Sequence, residues 1–190
     1  MPTEPRTDTH SHLNILALCG SLRSRSTNAA LLDAAVSIAP AGMRIARFQR
    51  LGQFPLFNPD AEHPTPEPVR DFIDQLNAAD GVLIASPEYA HGVTGVMKNA
   101  LDWVVGCEAF VHKPVAVLNA SPRAMHADAA LKETLSVMSA RIVEAASIAI
   151  PILGSQFDSK GIAAHPPFAR ALAAALDALR CAIAPTREQD

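Results

Sequence analysis

Within nine residues the sequence passes from an apolar run to a polar one and back: Gly20, Ser21, Leu22, Arg23, Ser24, Arg25, Ser26, Thr27 and Asn28 separate Cys19 from Ala29. The chemistry these residues can do is anion binding. The Ser21 and Ser26 hydroxyls, the Asn28 amide and the Arg23 guanidinium all donate hydrogen bonds, and the guanidinium can supply two at once. Ahead of them, Leu13 to Cys19 is almost continuously apolar, as in a strand covered on both faces; behind them, Ala29, Ala30, Leu31, Leu32, Ala35 and Val36 follow a helical pattern. A helix start has backbone N–H groups without partners and a partial positive charge, so the combination predicts a phosphate-type site. Ser26 or Thr27 acting only as a helix cap is the plainer alternative, but capping does not call for two arginines.

A second group of reactive residue types runs from Ser86 to Trp103 and contains Pro87, Glu88, Tyr89, His91, Gly92, Gly95 and Lys98. It follows the apolar run Gly81–Ala85, and Pro87 has no place inside a parallel sheet, so the strand must end in a shaped loop. Glu88 and His91 have the side chains of a general acid and base. The competing reading is that Glu88 orients the loop and His91 faces solvent or an interface. Met97 and Trp103 sit at helical spacing and read as core or interface, and Lys98 as either an anion contact or a surface lysine.

Positioning these loops requires strands and helices in alternation, and the chain supplies them. Met43–Phe48 and Pro114–Ala120 read as further strands, and 142–150 as a fifth, weakened by Glu144, Ala145 and Ala146. Thr65 is placed to cap a helix with Pro66 at its first position and Val69, Phe72, Ile73, Leu76 and Ala79 on one face. A helix after Gly95 buries Met97, Ala100, Leu101, Val104 and Val105; others carry Leu131, Leu135 and Met138, then Phe168 to Ile183. Between Gln49 and Asn58 the pattern is a loop that packs. The alternation predicts an open α/β sheet, in which ligands bind beyond the carboxyl ends of the strands. The loops after the first, third and fourth strands, the last containing Ser121, Pro122 and Arg123, are then expected to meet.

A length of 190 residues, 49% hydrophobic and 18% charged, suits one globular domain over 13–185, with tails at 1–12 and 186–190. A net charge of -3 gives no reason to expect nucleic acid or an anionic membrane as partner. Cys19, Cys107 and Cys181 have neither disulfide-framework nor zinc-site spacing, which fits a reducing, cytoplasmic setting. Met1 to His12 lacks the apolar core of a secretory signal, and His10 and His12 read as solvated residues rather than a metal pair. No metal site is expected.

Two motifs make the chain recognisable. G-S-x-R-x-x-S-x-N is met at Gly20, Ser21, Arg23, Ser26 and Asn28; the second motif is met by Pro87, Glu88 and Tyr89, then Gly95 and the run Lys98–Trp103. Together they resemble the NAD(P)H-dependent FMN reductase family, which includes quinone and azo-dye reductases, over roughly Leu13 to Ala184. The resemblance implies a flavodoxin-like doubly wound fold with a five-stranded parallel sheet in the order 2-1-3-4-5. It implies an FMN whose phosphate is held by Ser21, Arg23, Ser26 and Asn28. The ring would lie along Pro87, Glu88, Tyr89, Ala90, His91 and Gly92, with Ser121 contributing. It also implies NADPH or NADH as donor, a small-molecule electron acceptor, and a homodimer or homotetramer with the ring near the interface. Many relatives carry asparagine after the tyrosine and proline before the glycine, where this chain has Ala90 and Thr94.

Hydride transfer between nicotinamide and flavin needs stacking and positioning rather than a protein base, so no catalytic side chain is assigned. The chain lacks G-x-G-x-x-G, G-x-S-x-G and the G-x-x-x-x-G-K-[ST] loop. The nicotinamide is therefore expected to visit the flavin site itself, with ping-pong kinetics. An FMN-binding electron carrier without reductase activity is the alternative, although the small net charge offers little of the acidic docking face such carriers use. Val93, Val96, Met97 and Trp103 lead us to expect an oligomer contact along that segment.

Overall fold

The computed structural model describes residues 12–152 and 157–187. Its main sheet is parallel and five-stranded, built from β1 (Leu13–Cys19), β2 (Met43–Phe48), β3 (Gly81–Ala85), β6 (Pro114–Leu118) and β7 (Arg141–Ile142). A two-residue antiparallel hairpin, β4 (Glu88–Tyr89) with β5 (Gly92–Val93), stands apart. The sheet order is β2-β1-β3-β6-β7, the expected 2-1-3-4-5 order of a flavodoxin-like fold. Helices α1 (Thr27–Ser37), α2 (Glu67–Ala78), α3 (Gly95–Asp102), α4 (Met125–Val137), α5 (Ser159–Ala164) and α6 (Pro166–Arg187) complete it.

Side-chain alternation decides which helix covers which face. Ile15, Ala17 and Cys19 of β1, Leu83 and Ala85 of β3, and Ala116 and Leu118 of β6 pack with α1, α5 and α6. Leu16 and Leu18, Val82 and Ile84, and Val115 and Val117 point the other way, into a second core formed with α2, α3 and α4. Both faces are covered over the centre of the sheet, so β3 and β6 are apolar throughout, whereas the edge strand β2 alternates buried residues with Arg44 and Arg47.

Three sequence expectations change. The fifth strand is only Arg141–Ile142, because the chain turns into a 3-10 segment at Glu144–Ala146 and regains the sheet through a lone bridge between Asn119 and Ala149. Thr65 does not cap α2: its hydroxyl donates to the Glu62 carbonyl at 2.9 Å, and Pro66 takes the N-cap position without a side-chain bond. Val105 is exposed, since α3 stops at Asp102 and the following turns rotate that side chain outward. In addition, α6 continues to Arg187, two residues into the expected C-terminal tail; 1–11 and 188–190 lie outside the described residues.

The run Lys98–Trp103 proves to be a structural clamp. Asn99 donates from Nδ2 to the Pro55 carbonyl at 2.9 Å and accepts from the Phe57 N–H at 2.8 Å, while the Trp103 indole N–H donates to the same Pro55 carbonyl at 2.8 Å. Met97 and Trp103 are core residues, and Lys98 pairs with Asp102 one turn on at 2.5 Å. Asn99→Ala removes both amide bonds and strands a backbone donor, an expected loss of about 2 kcal/mol. Urea unfolding measures it; a loss under about 0.5 kcal/mol, the range of ordinary surface substitutions, would show that the 54–57 segment holds without the amide.

Candidate active site

Because the sheet is parallel, the loops after β1, β3 and β6 leave the same edge, at the β1/β3 position where the strand order reverses. They enclose an open cavity of about 290 Å³. Ser21, Arg23, Ser26 and Asn28 line it from the first loop; Pro87, Glu88 and Tyr89 from the second; Ser121 from the third. Eight of the eleven residues expected at the site are thus brought together.

The first loop gathers hydrogen-bond donors at one end of the cavity. Ser26 caps α1, its Oγ accepting from the Ala29 N–H at 3.2 Å, so the capping reading is correct as far as it goes. The hydroxyl hydrogen is still available for donation. The first helical bond, from the Ala30 N–H to the Ser26 carbonyl, leaves the N–H groups of Thr27 and Asn28 ahead of it without helical acceptors. Asn28 is buried, and its Oδ1 has no partner among the described residues. Such an atom is costly unless a ligand meets the amide, and a 180° amide rotation presents either a donor or an acceptor. Arg23 forms no ion pair among the described residues. Arg25 borders a different hollow, with Asp33 and Asp158.

Glu88 has a definite task. One carboxylate oxygen accepts from the Ala127 N–H at 2.9 Å, in the first turn of α4, whose N-cap residue Ala124 has no side chain able to cap. The bond completes the helix end and ties the second loop to the third. Glu88→Gln keeps an acceptor and loses only the charge, an expected cost of about 0.3–1 kcal/mol; Glu88→Ala leaves the Ala127 N–H unpaired and loosens both walls. In the FMN-loaded protein that the resemblance implies, stopped-flow reduction of the flavin by saturating NADPH should change by under tenfold in Glu88→Gln and in His91→Ala. A ~1,000-fold slowing, about 4 kcal/mol of transition-state stabilisation, would instead assign a chemical role to the side chain.

Ala90, His91 and Gly92 do not line the cavity. Ala90 and His91 are the two turn residues of the β4-β5 hairpin, at φ 49° and 59°, where left-handed backbone costs a residue with a Cβ roughly 1–2 kcal/mol. The His91 ring stacks on His126 of α4, with centroids 4.3 Å apart and planes 16° from parallel, and this contact helps hold the turn. Asparagine tolerates this conformation better than alanine does. Thr94 caps α3, its Oγ1 accepting from the Met97 N–H at 3.4 Å, and lies 3.3 Å from the Ser86 hydroxyl.

Thr27, Ser86, Asn119, Ala120, Arg123 and Ala124 also line the cavity; the sequence set Arg123 in a loop expected to meet at the site but assigned none of the six to the cofactor. Position after a strand's carboxyl end was the available signal for Ser86 and for 119–124. The apolar residues expected at an oligomer contact are largely spent inside the chain: Met97 and Trp103 are buried and Val93 and Val96 pack against the core. Of the exposed apolar side chains, Tyr89 lines the cavity, and Leu22 and Met125 are next in sequence to the lining residues Ser21, Arg23 and Ala124. Among the described residues, no group of three or more His, Cys, Asp or Glu side chains could hold a metal, and no helix is long and apolar enough to cross a membrane.

Residues 13–154 match the family model for NADPH-dependent FMN reductase. The chain belongs to this family. It is 34% identical over 155 residues to an NAD(P)H-dependent FMN reductase of Pseudomonas aeruginosa, covering 78% of this chain and 83% of that one. It is 39% identical over 112 residues to a 2-hydroxy-1,4-benzoquinone reductase of a Burkholderia species, covering 57% and 61%. Among solved structures it is similar to FerB, a flavoenzyme NAD(P)H:(acceptor) oxidoreductase of Paracoccus denitrificans, with a TM-score of 0.76, 27% identity, and 91% and 98% coverage. Membership in the FMN reductase family makes the chain an oxidoreductase.

Proposed function

We propose that this FMN reductase family member holds FMN in the cavity between Ser21 and Ala124 and reduces quinone-type small molecules with NADPH or NADH. The observation that carries this reading is the donor set at one end of that cavity: the α1 N-terminus, the Ser21 and Ser26 hydroxyls, the free Arg23 guanidinium and the buried, unpartnered Asn28 amide. This set suits a phosphate dianion, and the remaining walls suit a flat ring. FMN held there would supply two-electron hydride chemistry between the nicotinamide and the acceptor.

The chain's own residues then have positioning roles. Ser21, Arg23, Ser26 and Asn28 anchor the phosphate. Pro87 and Tyr89 form one wall and Ser121 and Ala120 another, while Glu88 fixes the distance between the two loops through its bond to α4. Ala90, His91 and Gly92 act at one remove by shaping the hairpin that carries Tyr89. Donor and acceptor use the same open cavity in turn, which gives ping-pong kinetics. A homodimer or homotetramer formed over Leu22, Tyr89 and Met125 would shield that cavity.

The test is direct. Purified protein should take up FMN with quenched flavin fluorescence, then oxidise NADPH or NADH in the presence of a quinone. FMN uptake without nicotinamide oxidation would make the chain an electron carrier.

A further inference from the structure

We propose that Arg123 selects the electron acceptor, favouring quinones that carry an ionised oxygen on or beside the ring. The proposal rests on the flavin-reductase reading above and assigns a second anion position in the same cavity. Arg123 lines that cavity from the loop after β6, on the far side of β3 from the Arg23 loop. Two strand spacings of about 4.8 Å each separate the strands that carry the two arginines. The phosphate end already has its donors in the α1 N-terminus, three polar side chains and Arg23. A second guanidinium at the other wall is left for a different group.

The loop presents this side chain from a built platform. Asn119 and Ser121 are both buried. The Asn119 amide spans the turn, accepting from the Ser121 N–H at 2.9 Å and donating to the Ala124 carbonyl at 2.9 Å. The Ala124 N–H donates to the Ser121 carbonyl at 3.0 Å, and the Arg123 N–H lies 3.4 Å from the Ser121 hydroxyl oxygen. Pro122 fixes one further backbone angle. The base of the arginine is therefore placed before any ligand arrives, which lowers the ordering cost of binding.

The guanidinium itself is unspent. Arg47, Arg50, Lys98, Lys132 and Arg180 all form ion pairs, whereas Arg123 forms none among the described residues. Glu88, the one carboxylate on the cavity wall, directs an oxygen into the α4 N-terminus. A guanidinium in this setting prefers a planar anionic oxygen pair. The nicotinamide ring bears a neutral carboxamide and its phosphates lie far from the reacting ring, so besides the flavin itself a ring-sized acceptor is the ligand that can bring an anion to this wall. In the overall reaction the quinone gains a hydride and one solvent proton to become the hydroquinone, NAD(P)H becomes NAD(P)+, and Arg123 stays protonated throughout.

Two acceptors of similar size isolate the charge. 2-Hydroxy-1,4-benzoquinone is a vinylogous acid, ionised at neutral pH, and 2-methoxy-1,4-benzoquinone is uncharged. In the FMN-loaded protein, the ratio of kcat/KM for the hydroxy over the methoxy compound should fall about tenfold in Arg123→Ala, chiefly through KM, and recover in part in Arg123→Lys. An unchanged ratio overturns the proposal, as does an equal fall for both acceptors. A shift in the NADPH-to-NADH preference without a shift in the acceptor ratio would assign the anion to the nucleotide, and a parallel rise in the FMN dissociation constant would assign it to the flavin; either result also overturns it. If the unaltered protein takes up no FMN, the reductase reading falls first and this inference with it. Normal FMN uptake and quinone reduction with a ratio insensitive to Arg123 would sink the inference alone.

Discussion

Gly20→Ala is expected to destabilise the chain by about 3 kcal/mol, the upper end of the range for overpacking a close-packed site. Gly20 ends β1, its N–H donating to the Ala85 carbonyl at 2.9 Å, and the loops after β1 and β3 diverge from this point. A Cβ here would stand 2.1 Å from the Ser86 Oγ, 2.6 Å from the Ser86 Cβ and 3.0 Å from the Thr94 Oγ1. Rotating the serine hydroxyl relieves the first contact, but the Cβ–Cβ contact yields only if the two backbones separate. That separation would widen the β1/β3 crevice and misplace Ser21 and Arg23, so FMN affinity should fall together with stability. For a chain of this length the melting temperature should drop by roughly 6–12 °C. Ser86→Gly in the same chain removes the colliding atoms and should restore most of the loss. A single variant that melts with the unaltered protein would show that the two loops do not approach as closely as described.

Arg23→Ala should leave the fold intact and weaken FMN binding roughly tenfold to a hundredfold, the equivalent of a charge-assisted hydrogen bond of about 1.5–3 kcal/mol. Arg23 is exposed and forms no ion pair among the described residues, so removing it costs the folded chain little. All of its expected value lies in the ligand. Arg23→Lys keeps the charge without the planar fork and should fall between the two. Arg25→Ala is the internal control, because Arg25 borders a separate hollow. Raising ionic strength should narrow the gap between Arg23→Ala and the unaltered protein, since salt screens an exposed cation. Fluorescence titration with FMN reads all four proteins. Equal affinities for Arg23→Ala and Arg25→Ala would move the phosphate away from this loop.

Much of this was legible in residue order. The nearly continuous apolar runs at Leu13–Cys19 and Gly81–Ala85 became β1 and β3 with those bounds, because strands covered on both faces need no polar alternation, and Met43–Phe48, with alternating burial, became the edge strand β2. The abrupt change at Gly20 and the arginine-serine loop marked one wall of the cavity for the same local reason: a strand end, a donor-rich loop and a helix start are contiguous in the chain. Other features depended on partners distant in sequence. The Pro55 carbonyl and the Phe57 N–H receive the Asn99 clamp across more than forty residues, and nothing near either end announces it. Glu88 resembles an acid-base residue until α4 arrives with an N-terminus its own sequence cannot cap. Arg123 belongs to the cavity because the strand order sets the loop after β6 beside the loop after β3. The sequence by itself thus determined the first four strands of the main sheet, most of the buried helix faces and the position of the donor-rich loop after β1, all of which rest on local periodicity and local composition. The tertiary structure alone decided which polar side chains are committed to backbone groups and which are left free for a ligand, since that depends on where distant backbone donors and acceptors come to lie.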